Sequence, residues 1–236
     1  MRIVAGRFRG RGLAAPSGRT IRPTSDRLRE TIFNILEHGH GDPITGARVL
    51  DLFAGTGAMG LEALSRGAEF CLFVDQGAEA RSLMRASIEK LGCAEQARIF
   101  RRDATRLGAA KPLAPFSVVF CDPPYGRDLG EAALSSALAG GWIAPNAMIV
   151  VEEAASSEFV FPEGFIEIER RAQGDTMVGF AAAMSEAEPR SLINTDVETT
   201  PSAGSVPSGK NSSGECLCRV ARHRPDHVQA ASCLST

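Results

Sequence analysis

Apolar residues in this chain fall into short runs separated by helical stripes, and the runs close on glycine or on an acid. Ala47-Arg48-Val49-Leu50-Asp51-Leu52-Phe53 has the length and branching of a buried strand. Gly55 and Gly57 then turn the chain into a helix from Met59 to Arg66, which Gly67 closes. Phe70 to Val74 predicts a second strand ending on Asp75, followed by a helix from Ala78 to Leu91. Ile99-Phe100-Arg101-Arg102-Asp103 predicts a third strand and Phe116-Ser117-Val118-Val119-Phe120-Cys121 a fourth. A helix from about Gly130 to Ala139 and a strand from Met148 to Val151 come next. Phe165 to Arg171, the turn Gly174-Asp175 and Thr176 to Phe180 predict a closing antiparallel hairpin. Strands alternating with helices in this way predict an α/β fold: a doubly wound, mostly parallel seven-stranded sheet with helices on both faces.

Both ends depart from that alternation. Arg2-Ile3-Val4-Ala5-Gly6-Arg7-Phe8-Arg9-Gly10-Arg11-Gly12-Leu13 predicts two short strands with glycine at the bends, basic side chains alternating with small or apolar ones. Thr24 or Ser25 then caps a helix whose stripe is Leu28, Ile32, Ile35 and Leu36 and which ends at Gly39. From Ser185 onward, 20 of 52 residues are Ser, Thr, Pro or Gly and the periodicity stops, so residues 185–236 read as a disordered low-complexity tail. The expected organisation is a domain over 1–184, with a basic arm and helix at 1–40 and a core at 41–184, followed by the tail.

Charge sharpens this picture. The net charge of −2 conceals a local net of +6 in residues 1–30 and a net of −8 over residues 31–236. A basic arm on an acidic body suits an anionic partner that meets the arm alone. Six cysteines at 71, 93, 121, 216, 218 and 233 are scattered rather than framed, which fits reduced thiols in a cytoplasmic protein. No run approaches a membrane span and the start lacks a signal-peptide core, so no membrane partner is expected. Cys216-Leu217-Cys218 and His223 to His227 imitate a metal site, but one residue between cysteines is shorter than zinc sites use, and no metal is expected.

The chemistry concentrates at strand ends. Asp51-Leu52-Phe53-Ala54-Gly55-Thr56-Gly57-Ala58-Met59-Gly60 carries three glycines that let backbone amides approach a ligand at a helix start. Asp75 lies where a carboxylate holds ribose hydroxyls, and Asp103 lies where one accepts from an adenine amine. Asp51 stands ahead of the glycines, where it would oppose a pyrophosphate. A cationic sulfonium cofactor without phosphate suits it better. The same acids also serve as helix caps or turn formers, so they carry two readings. Asp122-Pro123-Pro124-Tyr125 follows the fourth strand and joins a carboxylate, a stiff turn and an aromatic face at the ligand-binding edge of the sheet.

With that tetrapeptide the sequence resembles the class I S-adenosylmethionine-dependent methyltransferases that modify exocyclic amines. Met1-Arg2-Ile3-Val4-Ala5-Gly6-Arg7-Phe8-Arg9-Gly10 and Arg22-Pro23-Thr24-Ser25-Asp26-Arg27-Leu28-Arg29-Glu30 are similar to signatures of one such family, as is Gly174-Asp175-Thr176. That family is the bacterial 16S ribosomal RNA guanine-N2 methyltransferases of the RsmD type. The resemblance runs from Met1 to about Phe180. It implies S-adenosyl-L-methionine held by Asp51, Phe53, Gly55, Gly57, Asp75, Asp103 and Asp122. It also implies catalysis by Asp122, Pro123 and Tyr125, and 16S RNA contacts at Arg7, Arg9, Arg11, Arg22 and Arg27. Substrate RNA within an assembling 30S subunit, and a monomeric enzyme, belong to the same expectation.

Three other readings stay open on the residues alone. An N6-adenine methyltransferase acting on DNA or RNA shares the cofactor site and the tetrapeptide. A nicotinamide-dependent oxidoreductase rests on the glycines, and a non-catalytic RNA-binding module needs only the arm.

Overall fold

The computed structural model describes residues 1–15, 25–124 and 129–185. Arg22, Thr24, Tyr125, the cysteines and histidines between 216 and 227, and the rest of the segment after Ser185 lie outside them. Contacts divide the chain into Met1–Leu192 and Ile193–Thr236, and only the first unit contains described residues.

Among the described residues seven strands form one sheet: β1 (Arg48–Leu52), β2 (Phe70–Val74), β3 (Ala97–Phe100), β4 (Phe116–Cys121), β5 (Ile143–Ala154), β6 (Phe165–Gln173) and β7 (Thr176–Ala183). Their order is β3-β2-β1-β4-β5-β7-β6. The first five run parallel, and β7 lies antiparallel between β5 and β6. The chain builds outward from β1 to β3, then returns past its starting point to β4. That reversal opens a crevice at the carboxyl ends of β1 and β4, where α/β sheets take their ligands.

Helices α1 (Asp26–Gly39), α2 (Ala58–Ser65) and α3 (Ala78–Leu91) share one apolar core with Val118 and Phe120 of β4. Helix α4 (Leu129–Ala139) shares the other core with Val119 and Cys121. Both faces of β4 are thus covered, which is why its sequence is almost unbroken apolar. Ser25 caps α1, its hydroxyl accepting from Leu28 N at 3.1 Å, with Asp26 in the first turn. Cys71, Cys93 and Cys121 are buried free thiols, and burial pushes each one up from its ordinary pKa. No helix among the described residues is long and apolar enough to cross a membrane.

The hairpin strands β6 and β7 run two and three residues beyond the expected ends, and three other elements differ more. The arm contains a single antiparallel bridge, Arg2 to Gly12, instead of two strands. Four of its backbone donors go to α2: Val4 N and Ala5 N to the Glu62 carboxylate at 2.8 and 2.9 Å, Arg7 N to Ser65 O at 2.8 Å, and Phe8 N to Ser65 Oγ at 3.0 Å. Strand β3 begins at Ala97 and stops at Phe100, because β2 offers partners only as far as Val74 opposite Phe100. Strand β5 starts at Ile143 rather than Met148, with Ile143 opposite Phe116 of β4, and continues past Val151 to Ala154, since β7 pairs with it through Ala154 opposite Thr176.

Candidate active site

A cleft of about 1160 Å³ opens at the carboxyl ends of the parallel strands. Its walls come from the loops after β1 to β4, the starts of α1, α2 and α3, and the β6–β7 turn. Of the residues singled out from sequence, Asp51, Phe53, Gly55, Asp75, Asp103, Asp122, Pro123 and Arg27 line this cleft. Gly57 does not. It sits at φ +76 before α2, and a Cβ there would meet Met84 Cγ at 2.9 Å, so its requirement for glycine comes from the core.

The acids are held by local backbone. Gly60 N donates to Asp51 Oδ2 at 3.0 Å, fixing the start of α2 to β1. Burial pushes the Asp51 carboxyl up to about 7; the Gly60 N–H opposes this and the Asp75 charge adds to it. Asp75 accepts from Gly55 N at 2.8 Å and from Gly77 N at 2.6 Å, clasping the loops after β1 and β2 together. Asp103 accepts from Thr105 N at 2.9 Å and Thr105 Oγ1 at 2.7 Å, bonds that hold its pKa below the ordinary carboxylate value. Each acid therefore performs a local structural task and also faces the cleft.

Phe53 takes φ +58, a left-handed backbone that a bulky side chain rarely adopts. The kink carries the chain out of β1 into the glycine turn, where Ala54 N donates to Val74 O at 3.1 Å. Beyond β4, Asp122 N donates to Leu52 O at 3.4 Å, so the tetrapeptide leaves the sheet beside the end of β1. Pro123 is buried against the start of α4, its ring 3.5 Å from where a Cβ on Gly130 would stand.

The arm's arginines lie elsewhere. Arg7 bonds Gln96, and Arg11 donates to Leu91 O at 3.3 Å, the last residue of α3. Both guanidinium groups approach the Phe8 ring, at 4.5 and 5.8 Å from its centroid. These contacts are at the carboxyl ends of α2 and α3, whereas the cleft is at their amino ends. Arg9 is exposed on the same tip. Of the arm and α1 arginines with expected RNA contacts, Arg27 alone lines the cleft among the described residues.

Two features escaped the sequence reading. Glu62, in a helix of Ala and Leu, is fully buried and accepts from Arg29 Nε at 3.3 Å and Arg66 Nε at 3.0 Å besides the two arm amides. Arg29, counted from sequence with the basic arm, is also fully buried and pairs with Asp26 at 2.8 Å. Its charge is therefore not presented to a partner. The second feature is Glu152, buried in β5 and lining the cleft. An acid closing the apolar run Met148–Val151, as acids close the other parallel strands, was the available signal.

A sheet of this order with acids at successive strand ends around one cleft is the architecture of the class I methyltransferases. The family model described as "Conserved hypothetical protein 95" matches residues 1–182, and the chain belongs to that family. "Ribosomal RNA small subunit methyltransferase D" of Haemophilus influenzae is 34% identical over 176 residues, covering 74% of this chain and 89% of that one. The protein of the same name from Escherichia coli K12 is 40% identical over 154 residues, covering 64% and 74% respectively. The solved structure of yhhF from Escherichia coli superimposes with a TM-score of 0.67 at 32% identity. It covers 78% of this chain and 98% of that chain.

Proposed function

We propose that this chain methylates ribosomal RNA, moving the methyl group of S-adenosylmethionine to the N2 amine of a guanine in the 16S molecule. The observation that carries the reading is the position of Asp122-Pro123 at the switch-point cleft, beside the strand-end acids, in a chain whose relatives are named small-subunit ribosomal RNA methyltransferases. The donor set suits this cofactor. Asp51, Asp75 and Asp103 all line the cleft; in this reading Asp75 holds ribose hydroxyls, Asp103 an adenine amine, and Asp51 favours a cationic group over a pyrophosphate. When bound, S-adenosylmethionine supplies an electrophilic methyl group on a sulfonium that leaves readily.

The protein's task is then to align a nitrogen lone pair with that methyl. An exocyclic amine is a poor nucleophile because its lone pair is delocalised into the ring. The Asp122 carboxylate and the Pro123 carbonyl accept from its two N–H groups, orient it and stabilise the positive charge that develops on nitrogen. Tyr125 offers a ring for the unstacked base, a contact worth about 1–3 kcal/mol. The base enters extruded or single-stranded. Arg27 meets RNA at the cleft mouth, Arg7, Arg9 and Arg11 meet phosphates farther out, and Arg22 is a further phosphate contact, on free RNA or in an assembling 30S subunit, with the enzyme acting as a monomer.

The test supplies tritiated S-adenosylmethionine with unmodified small-subunit particles and, separately, naked RNA, and then identifies the labelled nucleoside. N2-methylguanosine is expected, with label lowered about 10²–10³-fold by Asp122→Ala even at saturating cofactor. Labelled N6-methyladenosine, or full turnover by Asp122→Ala, would overturn the reading.

A further inference from the structure

The exocyclic-amine motif does not by itself choose between bases, since guanine and adenine both carry an amine that Asp122 and Pro123 could hold. The adjoining strand supplies what the motif lacks. In the β4–β5 pair Phe120 lies opposite Val150 and Cys121 opposite Val151. Continuing that register one residue past the end of β4 sets Asp122 beside Glu152 of β5, with the two backbones about 4.8 Å apart by strand spacing. Phe120, Val150 and Val178, the β7 partner of Glu152, all belong to the core under α1 to α3. By alternation Asp122 and Glu152 project to that same face. Both line the cleft, and Glu152 is only 9% exposed.

We infer that Glu152 reads the ring nitrogen next to the amine and so makes the cleft selective for guanine. This rests on the N2-guanine reading given above. On its pairing edge guanine presents N1–H and the N2 amine side by side as donors. Adenine presents an amine donor beside a bare N1 acceptor. An ionised carboxylate only accepts. With the amine held by Asp122 and the Pro123 carbonyl, an ionised Glu152 accepts from a guanine N1–H, whereas an adenine N1 lone pair confronts the lone pairs of its oxygens. The second carboxylate thus rewards one base and rejects the other.

The experiment replaces the labelled guanine with 2,6-diaminopurine in ligated 16S RNA. This base keeps the 2-amine and exchanges N1–H for an acceptor. The wild-type enzyme should show kcat/KM lower by roughly 10–100-fold on the substituted RNA, the loss of one specific base contact. Glu152→Gln, whose amide can donate to the ring nitrogen, should bring the two substrates within a few-fold of each other while leaving cofactor affinity unchanged. Should Glu152→Gln not fold, Glu152→Asp retains the acceptor and should keep the guanine preference at lower turnover. Loss of the preference in Glu152→Asp, or wild-type discrimination in Glu152→Gln, would overturn the inference. If the wild-type product is N2-methylguanosine while discrimination survives Glu152→Gln, only this inference falls. A different methylated base in the wild type removes the functional reading and this inference with it.

Discussion

Replacing Glu62 by alanine removes one acceptor group from four donors at once: two arm amides and the guanidinium groups of Arg29 and Arg66. Arg29 and Glu62 are both fully buried, so water cannot take over as acceptor without opening the core. Breaking such a buried pair by deleting one member costs about 3–5 kcal/mol. Domains of this kind hold about 5–15 kcal/mol in total, so the loss is a large fraction of stability. At about 2–4 °C per kcal/mol, Glu62→Ala should melt roughly 6–20 °C below wild type. Glu62→Gln keeps one acceptor oxygen but turns an amide donor toward other donors, and should fall between the two. Thermal unfolding followed by circular dichroism gives the first reading. Amide hydrogen exchange at Val4 and Ala5 gives the second, because these are the two arm amides that donate to Glu62. A Glu62→Ala protein that melts within about 2 °C of wild type with both amides still protected would refute the argument.

Other consequences are as direct. With Asp51 at about 7 when folded and near 3.8 when unfolded, the native state holds the extra proton between these values. Its contribution to stability therefore falls as pH rises from about 4 to 7 and is flat above, and Asp51→Asn should remove that slope in pH-dependent melting. Since the ionised form attracts a cation, S-adenosylmethionine affinity measured by calorimetry should rise through pH 7 in wild type and stay level in Asp51→Asn. A Cβ on Gly6 would stand 2.0 Å from Ser65 O at φ +76, so Gly6→Ala should displace the arm and lower the dependence of RNA affinity on salt, with cofactor affinity kept. A chain ending at Ser185 should retain cofactor affinity and methyl transfer if residues 185–236 are the low-complexity tail that their composition suggests; loss of activity on truncation would exclude that.

What the sequence made legible depended on whether a partner was local. Phe70–Val74, Ala78–Leu91 and Phe116–Cys121 lie where their patterns place them, because a run buried on both faces and a stripe ending at Gly92 need no distant information. The arm's strands were misplaced because its donors are answered by Glu62 and Ser65, over fifty residues away. Glu62 itself reads as a solvent-facing residue of a short helix until the arm is laid over it. Strand-end acids at 51, 75, 103 and 122 were visible as a series and do converge on one cleft. Glu152 belongs to that series, yet its strand was ended at Val151, since only pairing with β7 extends it.

The placement of the arginine tip has a consequence for substrate choice. Arg7 is anchored at the last residue of α2 and Arg11 at the last residue of α3, while the cleft is lined by the first residues of both. Helices of 8 and 14 residues put the two ends about 12–21 Å apart. If both ends grip one RNA, the protein acts as a ruler, asking for a backbone at a fixed distance from the extruded base as well as for the base. A short oligonucleotide centred on the target would satisfy the cleft and miss the tip, whereas a folded RNA could satisfy both. Lengthening the substrate stepwise should then raise kcat/KM abruptly once phosphates reach the tip, and Arg7→Ala with Arg11→Ala should abolish that step while leaving the shortest substrates unaffected. A smooth rise with length, indifferent to the two arginines, would mean that the tip measures nothing.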